Sequence, residues 1–194
     1  MSIQLYHKTT EDCSRKVALN YSTSFSLGIR LLSAEYRSAV FSIYGLVRVA
    51  DEIVDTFHEF DKVQLLKDFR EETYKAIEQK ISTNPILNAF QIVANQYQIG
   101  RDLIDPFFNS MEEDLETSEH SEGSYQEYIY GSAEVVGLMC LKVFCNGNEE
   151  YYRQLVPYAR SLGAAFQKVN FLRDLQSDFE ERGSSLSQLN FSDL

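Results

Sequence analysis

Proline is scarce in this chain, three in 194 residues, and tryptophan is missing altogether. With so few residues that lack a backbone donor, long stretches are free to run as helix, and no alternating apolar pattern competes for them. The three cysteines, Cys13, Cys140 and Cys145, are odd in number and lack CxxC spacing, so neither a disulfide framework nor a zinc site is indicated. His7, His58 and His120 are scattered. Asp55-x-x-His58 lacks the Glu-x-x-His on each of two helices that a di-iron site needs. Positive charge is also short: Lys plus Arg total 18 against 29 Asp plus Glu, a net charge of -11 with no basic run. Such a chain repels a phosphate backbone, so no nucleic-acid partner is expected, and an anionic substrate needs a metal ion or local Arg and Lys. The start, MSIQLYHKTTEDC, has no apolar signal-peptide core, and Lys142 interrupts the longest apolar stretch well short of ~18 residues. A soluble, cytoplasmic protein is the expectation.

What the chain does have is helical signal. At 44 % hydrophobic and 13 % aromatic, it is long enough for one globular domain that buries roughly 70 % of its unfolded surface. Thr10 is read as capping a helix through Asn20, followed by a looser stretch, YSTSFSLG. A long helix is expected from Ser33 to about Thr56. Asp61 with Gln64 forms a capping box, and Asn84-Pro85 and Asp105-Pro106 each place a cap before an N1 proline. Ser124 with Glu127 opens a helix to about Cys145, a polar loop at 116 to 124 precedes it, and a last helix runs from Glu149 to Glu181. Pro157 marks either a break in that run or its first turn. An all-α fold follows.

Two polar stripes cross otherwise apolar helices. Tyr44, Arg48, Asp51 and Asp55 are spaced by 4, 3 and 4, which puts all four on one face. Gln167, Asn170, Asp174 and Asp178 recur at 3, 4 and 4, with Gly163 one turn earlier. One such aspartate pair alone suits a solvated face. Two pairs led by uncharged polar groups suit Mg2+ better, because like charges at that spacing are mildly destabilising and Mg2+ takes oxygen ligands, bridging carboxylates to substrate phosphates. The cluster Glu112, Glu113, Asp114 and Glu116 reads as a solvated helix face.

The order YSTSF, IYGLVRVADEIVD, YIYGSAEVVGL and LGAAFQKVNFLRDLQSDF resembles the squalene/phytoene synthase family, most of all its bacterial phytoene synthases, over nearly the whole chain. The resemblance implies an isoprenoid-synthase-type helical bundle around a central cavity, formed by one domain, 1–194. After Asp178 the segment ERGSSLSQLNFSDL lacks the family's Gly-Arg-x-Tyr-hydrophobic-Pro pattern, and the expected C-terminal helices do not follow. A C-terminally incomplete domain that catalyses poorly is therefore expected.

Carried over, the resemblance makes Asp51, Asp55, Asp174 and Asp178 ligands of Mg2+ ions that hold prenyl diphosphates. Ser22, Ser24, Arg48 and Arg173 match diphosphate contacts, although Arg173 sits about 100° around the helix from Asp174, where a structural ion pair is as good a reading. Tyr44 and Tyr130 match polar aromatics near the reacting carbons, and Gln167 and Asn170 border the same site. Ordinary readings stand beside these: core tyrosines for Tyr44 and Tyr130, turn or cap residues for Ser22 and Ser24, and close helix packing for Gly131, Ala133 and Gly137. Phe25, Phe41, Val136, Leu138 and Phe166 are wall or core residues. The implied reaction is head-to-head condensation of two geranylgeranyl diphosphates to phytoene through a cyclopropylcarbinyl diphosphate, with peripheral membrane contact for release of the lipid product. The second reading is squalene or dehydrosqualene from farnesyl diphosphate, and a third is a non-catalytic assembly protein. The absence of a nucleotide-binding glycine motif disfavours NADPH-dependent reduction.

Overall fold

A computed structural model describes residues 2–116 and 127–182, with Glu116 and residues 170–182 described by backbone alone. Every regular element among them is a helix: α1 (Ile3–Tyr21), α2 (Thr23–Leu31), α3 (Ala34–Asp55), α4 (Lys62–Gln79), α5 (Pro85–Tyr97), α6 (Arg101–Glu116), α7 (Glu127–Cys145) and α8 (Glu149–Arg182). A π-helical turn, Tyr130–Glu134, interrupts α7.

Several boundaries follow local chemistry that the sequence displays. Asp61 accepts from the Gln64 amide and opens α4, and Asn84 accepts from the amides of Ile86 and Leu87 ahead of Pro85. Ser33 and Thr56 flank α3 as expected.

Three starts differ from expectation. Ser2, not Thr10, caps α1, and the Thr10 hydroxyl instead donates to the His7 carbonyl within the helix. The stretch YSTSFSLG is helical because Ser22 accepts from the Phe25 amide and starts α2. The third is α6, which begins five residues before Pro106, with the amides of Leu103 and Ile104 donating to the Gly100 carbonyl. Proline there costs one backbone bond while Leu103, Ile104, Phe107 and Phe108 are buried around it. α8 likewise runs through Pro157 without ending. The expected cap Ser124 and the loop 116 to 124 lie outside the described residues, apart from the Glu116 backbone, which ends α6.

α3 is the central helix and packs on α1, α2, α4, α5, α6 and α7. Its residues Ile43, Leu46, Ala50, Ile53 and Val54 join Leu66, Leu87, Phe90, Phe107, Phe108 and Met139 in the main core. By length and composition α7 could cross a membrane. Here Val135, Leu138, Met139, Leu141 and Val143 are buried against neighbouring helices, so it is a core helix.

Small residues set the spacing. At Gly131 a Cβ would lie 2.8 Å from the Ser110 Cβ and closer still to the Pro106 carbonyl oxygen, and at Gly163 it would lie 3.0 Å from the Ala133 carbonyl oxygen. α6, the π turn and α8 are therefore pressed backbone to backbone, the close-packing role expected of this glycine-rich segment. A polar tie joins α4 to α6: Arg70 donates to Asp105 at 2.9 Å and to Glu112 at 2.8 Å, and Tyr74 donates to Asp105.

Candidate functional site

The α3 stripe forms as the spacing requires, and the joint between α1 and α2 lies over it. Tyr44 is half-buried, its ring 6.1 Å from that of Phe25, and the Ser22 hydroxyl is near its phenol. Burial raises the Tyr44 pKa, with Arg48 and Ser22 opposing the rise. Arg48 pairs with Glu52 and stacks on Tyr21, 4.5 Å from the ring centroid. Asp51 is half-buried, Asp55 is exposed at the end of α3, and Ser24 is exposed on α2. The Asp51 carboxyl is pushed up to about 7, first by burial and then by Asp55, Asp114 and Glu52, against the opposing pull of Arg48.

Asp114 and Tyr128 also belong to this neighbourhood. Tyr128 donates to Asp114 at 3.3 Å, and its phenol is held well above the ordinary range by burial first, then by Asp114, Asp51 and Asp55. The reading of the 112–116 cluster as a solvated face thus fails for two members: Glu112 binds Arg70 and Asp114 faces the aspartate pair. A signal was available in the spacing, since Asp114 follows Phe107, Ser110 and Met111 by seven, four and three residues, and all three are buried.

Tyr130 takes a different direction. Its ring lies 5.0 Å from the Arg160 guanidinium and lines a cleft of about 470 Å³ with Pro106, Asn109, Ser110, Glu113, Glu127 and Arg160. Arg160 reaches across to Glu134 at 2.5 Å, tying α8 to the π turn. None of Tyr44, Asp51 or Asp55 lines that cleft, and the phenol that Asp51 and Asp55 act on is that of Tyr128.

The second stripe is described only at its start. Gln167 is half-buried on α8, and its neighbour Phe166 packs against Phe25 with ring centroids 6.0 Å apart. Phe25 therefore stands between Tyr44 on α3 and Phe166 on α8, which brings the α8 stripe toward the α3 stripe. The side chains of Asn170, Arg173, Asp174 and Asp178 lie outside the described residues; their backbone continues α8. Of the apolar wall residues, Phe41 and Leu138 are buried core, whereas Phe25 and Phe166 are about half exposed, at 46 % and 51 %, as the lining of an open cavity would be.

Among the described residues no group of three or more His, Cys, Asp or Glu is clustered as a metal site. Two carboxylates one turn apart still fit Mg2+, which commonly takes one or two from protein and the rest from water and substrate phosphates. The strain on Asp51 is the second point of fit: acidic groups crowded this closely resist ionising together, and a bound cation relieves them.

Comparison with known proteins agrees with the geometry. Residues 18–187 match the family described as squalene/phytoene synthase. The chain is 28 % identical over 172 residues to 4,4'-diapophytoene synthase of Staphylococcus haemolyticus, covering 84 % of this chain and 57 % of that one. To phytoene synthase of Mycobacterium tuberculosis it is 26 % identical over 183 residues, covering 91 % and 56 %. Its fold matches a ligand-bound dehydrosqualene synthase with a TM-score of 0.77 at 22 % identity, over 90 % of this chain and 59 % of that one. That match shows the expected all-α isoprenoid-synthase bundle. The chain spans about half the length of the curated relatives it matches.

Proposed function

Since the chain belongs to the squalene/phytoene synthase family, we propose that it serves a Mg2+-dependent head-to-head condensation of two prenyl diphosphates. The observation that carries this reading is the crowding of Asp51, Asp55 and Asp114 beside Arg48 and Tyr128, with Asp51 half-buried and Asp55 exposed at the end of α3. Such a cluster suits a cation carrying an anionic substrate. When bound, Mg2+ would neutralise the negative charge that develops on the leaving diphosphate. Asp51 and Asp55 would hold it from α3, and Asp174 and Asp178 would do so from α8.

Arg48 supplies the fixed positive charge for the diphosphate, and Ser22 and Ser24 at the start of α2 would add hydroxyl donors to it. Tyr44 and Tyr128 keep their protons, because burial and the neighbouring carboxylates raise both phenols, so each is a neutral polar group near the reacting carbons. Phe25 and Phe166 pack together as an apolar wall of an open cavity, and a carbocation-forming reaction demands that such a wall shed its water when substrate is bound. Geranylgeranyl diphosphate, giving phytoene, is the first substrate in this reading. Farnesyl diphosphate, giving dehydrosqualene, is the second, supported by the likeness to 4,4'-diapophytoene synthase. A cytoplasmic location with membrane contact for product release accompanies the proposal.

The test is incubation of the purified protein with Mg2+ and each diphosphate, followed by identification of the lipid and measurement of pyrophosphate release. Phytoene or dehydrosqualene formed only with the metal is the expected result. Failure to bind or turn over either diphosphate at any Mg2+ concentration would leave the non-catalytic reading.

A further inference from the structure

Arg48 is oriented by two groups that the polar stripe does not contain. Its guanidinium carbon lies over the Tyr21 ring, 4.5 Å from the centroid, and Nη2 donates to Glu52. Tyr21 closes α1, and the next residue, Ser22, caps α2 and touches Tyr44. Consecutive residues of the α1–α2 joint therefore rest on consecutive turns of the α3 stripe. Tyr21 itself is half exposed, at 50 %, so core filling does not account for its place.

The arrangement leaves one donor over. The Arg48 Nε–H is buried and has no acceptor among the described residues. A buried N–H is a cost until an acceptor arrives, and an oxyanion is the acceptor a guanidinium edge fits best. Asp51, three residues after Arg48, is the competing partner along the helix. The guanidinium makes its ion pair with Glu52 and stacks on Tyr21 rather than bonding Asp51, which it influences only through charge, and its Nε–H edge stays uncommitted.

We propose that Tyr21, together with Glu52, is a positioning residue that presents the Nε–H edge of Arg48 to an oxygen of the bound diphosphate. This rests on the diphosphate reading above. Tyrosine suits the task because its face attracts the cation without offering a charge that would compete with the ligand.

The probe is inorganic pyrophosphate with Mg2+, titrated calorimetrically into the full 194-residue chain and its variants, so that no catalytic turnover is needed. Arg48→Met should lose most of the affinity. Tyr21→Phe, which keeps the stack, should bind within about twofold of the parent, and Tyr21→Leu should bind about three- to tenfold more weakly. In the Arg48→Met background, Tyr21→Leu should have no further effect, because a positioning residue acts only through the group it positions. Circular dichroism and melting temperature should be unchanged in Tyr21→Leu, given its exposure.

Parent-like binding by Tyr21→Leu would overturn the inference and leave the diphosphate reading intact. So would equal losses in Tyr21→Phe and Tyr21→Leu, or a loss that persists without Arg48. Absence of Mg2+-dependent pyrophosphate binding by the parent chain would overturn the diphosphate reading and this inference with it.

Discussion

Gly131→Ala tests whether the contact between α6 and the π turn sets the spacing of the site. A Cβ at this position would stand 2.8 Å from the Ser110 Cβ and 3.0 Å from its Oγ, and nearer still to the Pro106 carbonyl oxygen. The serine can turn, but the Pro106 carbonyl is backbone in the middle of a helix and cannot. α6 and α7 must then separate by several tenths of an ångström over a core that includes Phe107 and Met139. Overpacking of this kind costs about 3 kcal/mol, and the helix preference of alanine over glycine returns up to about 1, leaving a net loss of about 2 kcal/mol. For a domain of this size that lowers the melting temperature by about 4–8 °C.

Gly28→Ala on α2 is the matched control. No atom lies within 4 Å of its Cβ, so the propensity gain stands alone and the protein should gain up to about 1 kcal/mol. Because Asp114 on α6 faces Tyr128 on α7, the same separation should weaken Mg2+-pyrophosphate binding in Gly131→Ala and leave it unchanged in Gly28→Ala. Thermal and urea unfolding of the two variants beside the parent is the assay. If Gly131→Ala melted at or above the parent temperature, the backbone contact would not be limiting and the reasoning would be wrong.

Asp51→Asn and Asp174→Asn, made separately, should each abolish Mg2+-dependent turnover while far-ultraviolet dichroism stays the same; near-parent activity in either would refute a paired site. Arg70→Met should cost about 1–2 kcal/mol at neutral pH, measured by urea unfolding, because it removes the cation from Asp105, which keeps only Tyr74, and from Glu112. Burial works to raise the Asp105 carboxyl, but the bonds from Tyr74 and Arg70 prevail and hold it below the usual range. A lowered folded-state value contributes stability that is present above the unfolded value, about 4, and lost as pH falls through the folded one, so the gap between parent and Arg70→Met should narrow below about pH 4. A gap that is constant from pH 7 to pH 3 would contradict that origin.

The fold was legible wherever a helix carried its own boundary. Asp61 and Asn84 do so with side-chain oxygens aimed at the first amides, and the α3 limits at Ser33 and Thr56 follow from uninterrupted apolar spacing. It was less legible where one residue can play two parts. Thr10 is a good cap in isolation, yet with Asn88 donating to its hydroxyl at 2.9 Å it is a buried helix-interior residue. Asp105 before Pro106 has the form of a cap, yet it is committed to Arg70 and Tyr74 on another helix. In both cases a partner far along the chain decides the role, and spacing rules that look a few residues ahead do not register it.

The site shows the same division between contacts along one helix and contacts between helices. Periodicity suffices for the α3 stripe because Tyr44, Arg48, Asp51 and Asp55 need only one helix to align them. It does not choose between Tyr128 and Tyr130, which lie two residues apart in a tyrosine-rich segment and face different partners, Asp114 in one case and Arg160 in the other. The π turn begins between those partners' helices, at Tyr130, and a residue inserted into helical register rotates whatever precedes it relative to whatever follows. α-helical spacing counted back from the buried residues Val135 and Leu138 therefore misplaces this face by about one residue, roughly 100°. The acidic excess of the chain is also concentrated by this geometry. Carboxylates from α3 and α6 share one neighbourhood because those two helices pack on each other, so the charge that a cation would balance is a product of helix packing as much as of composition.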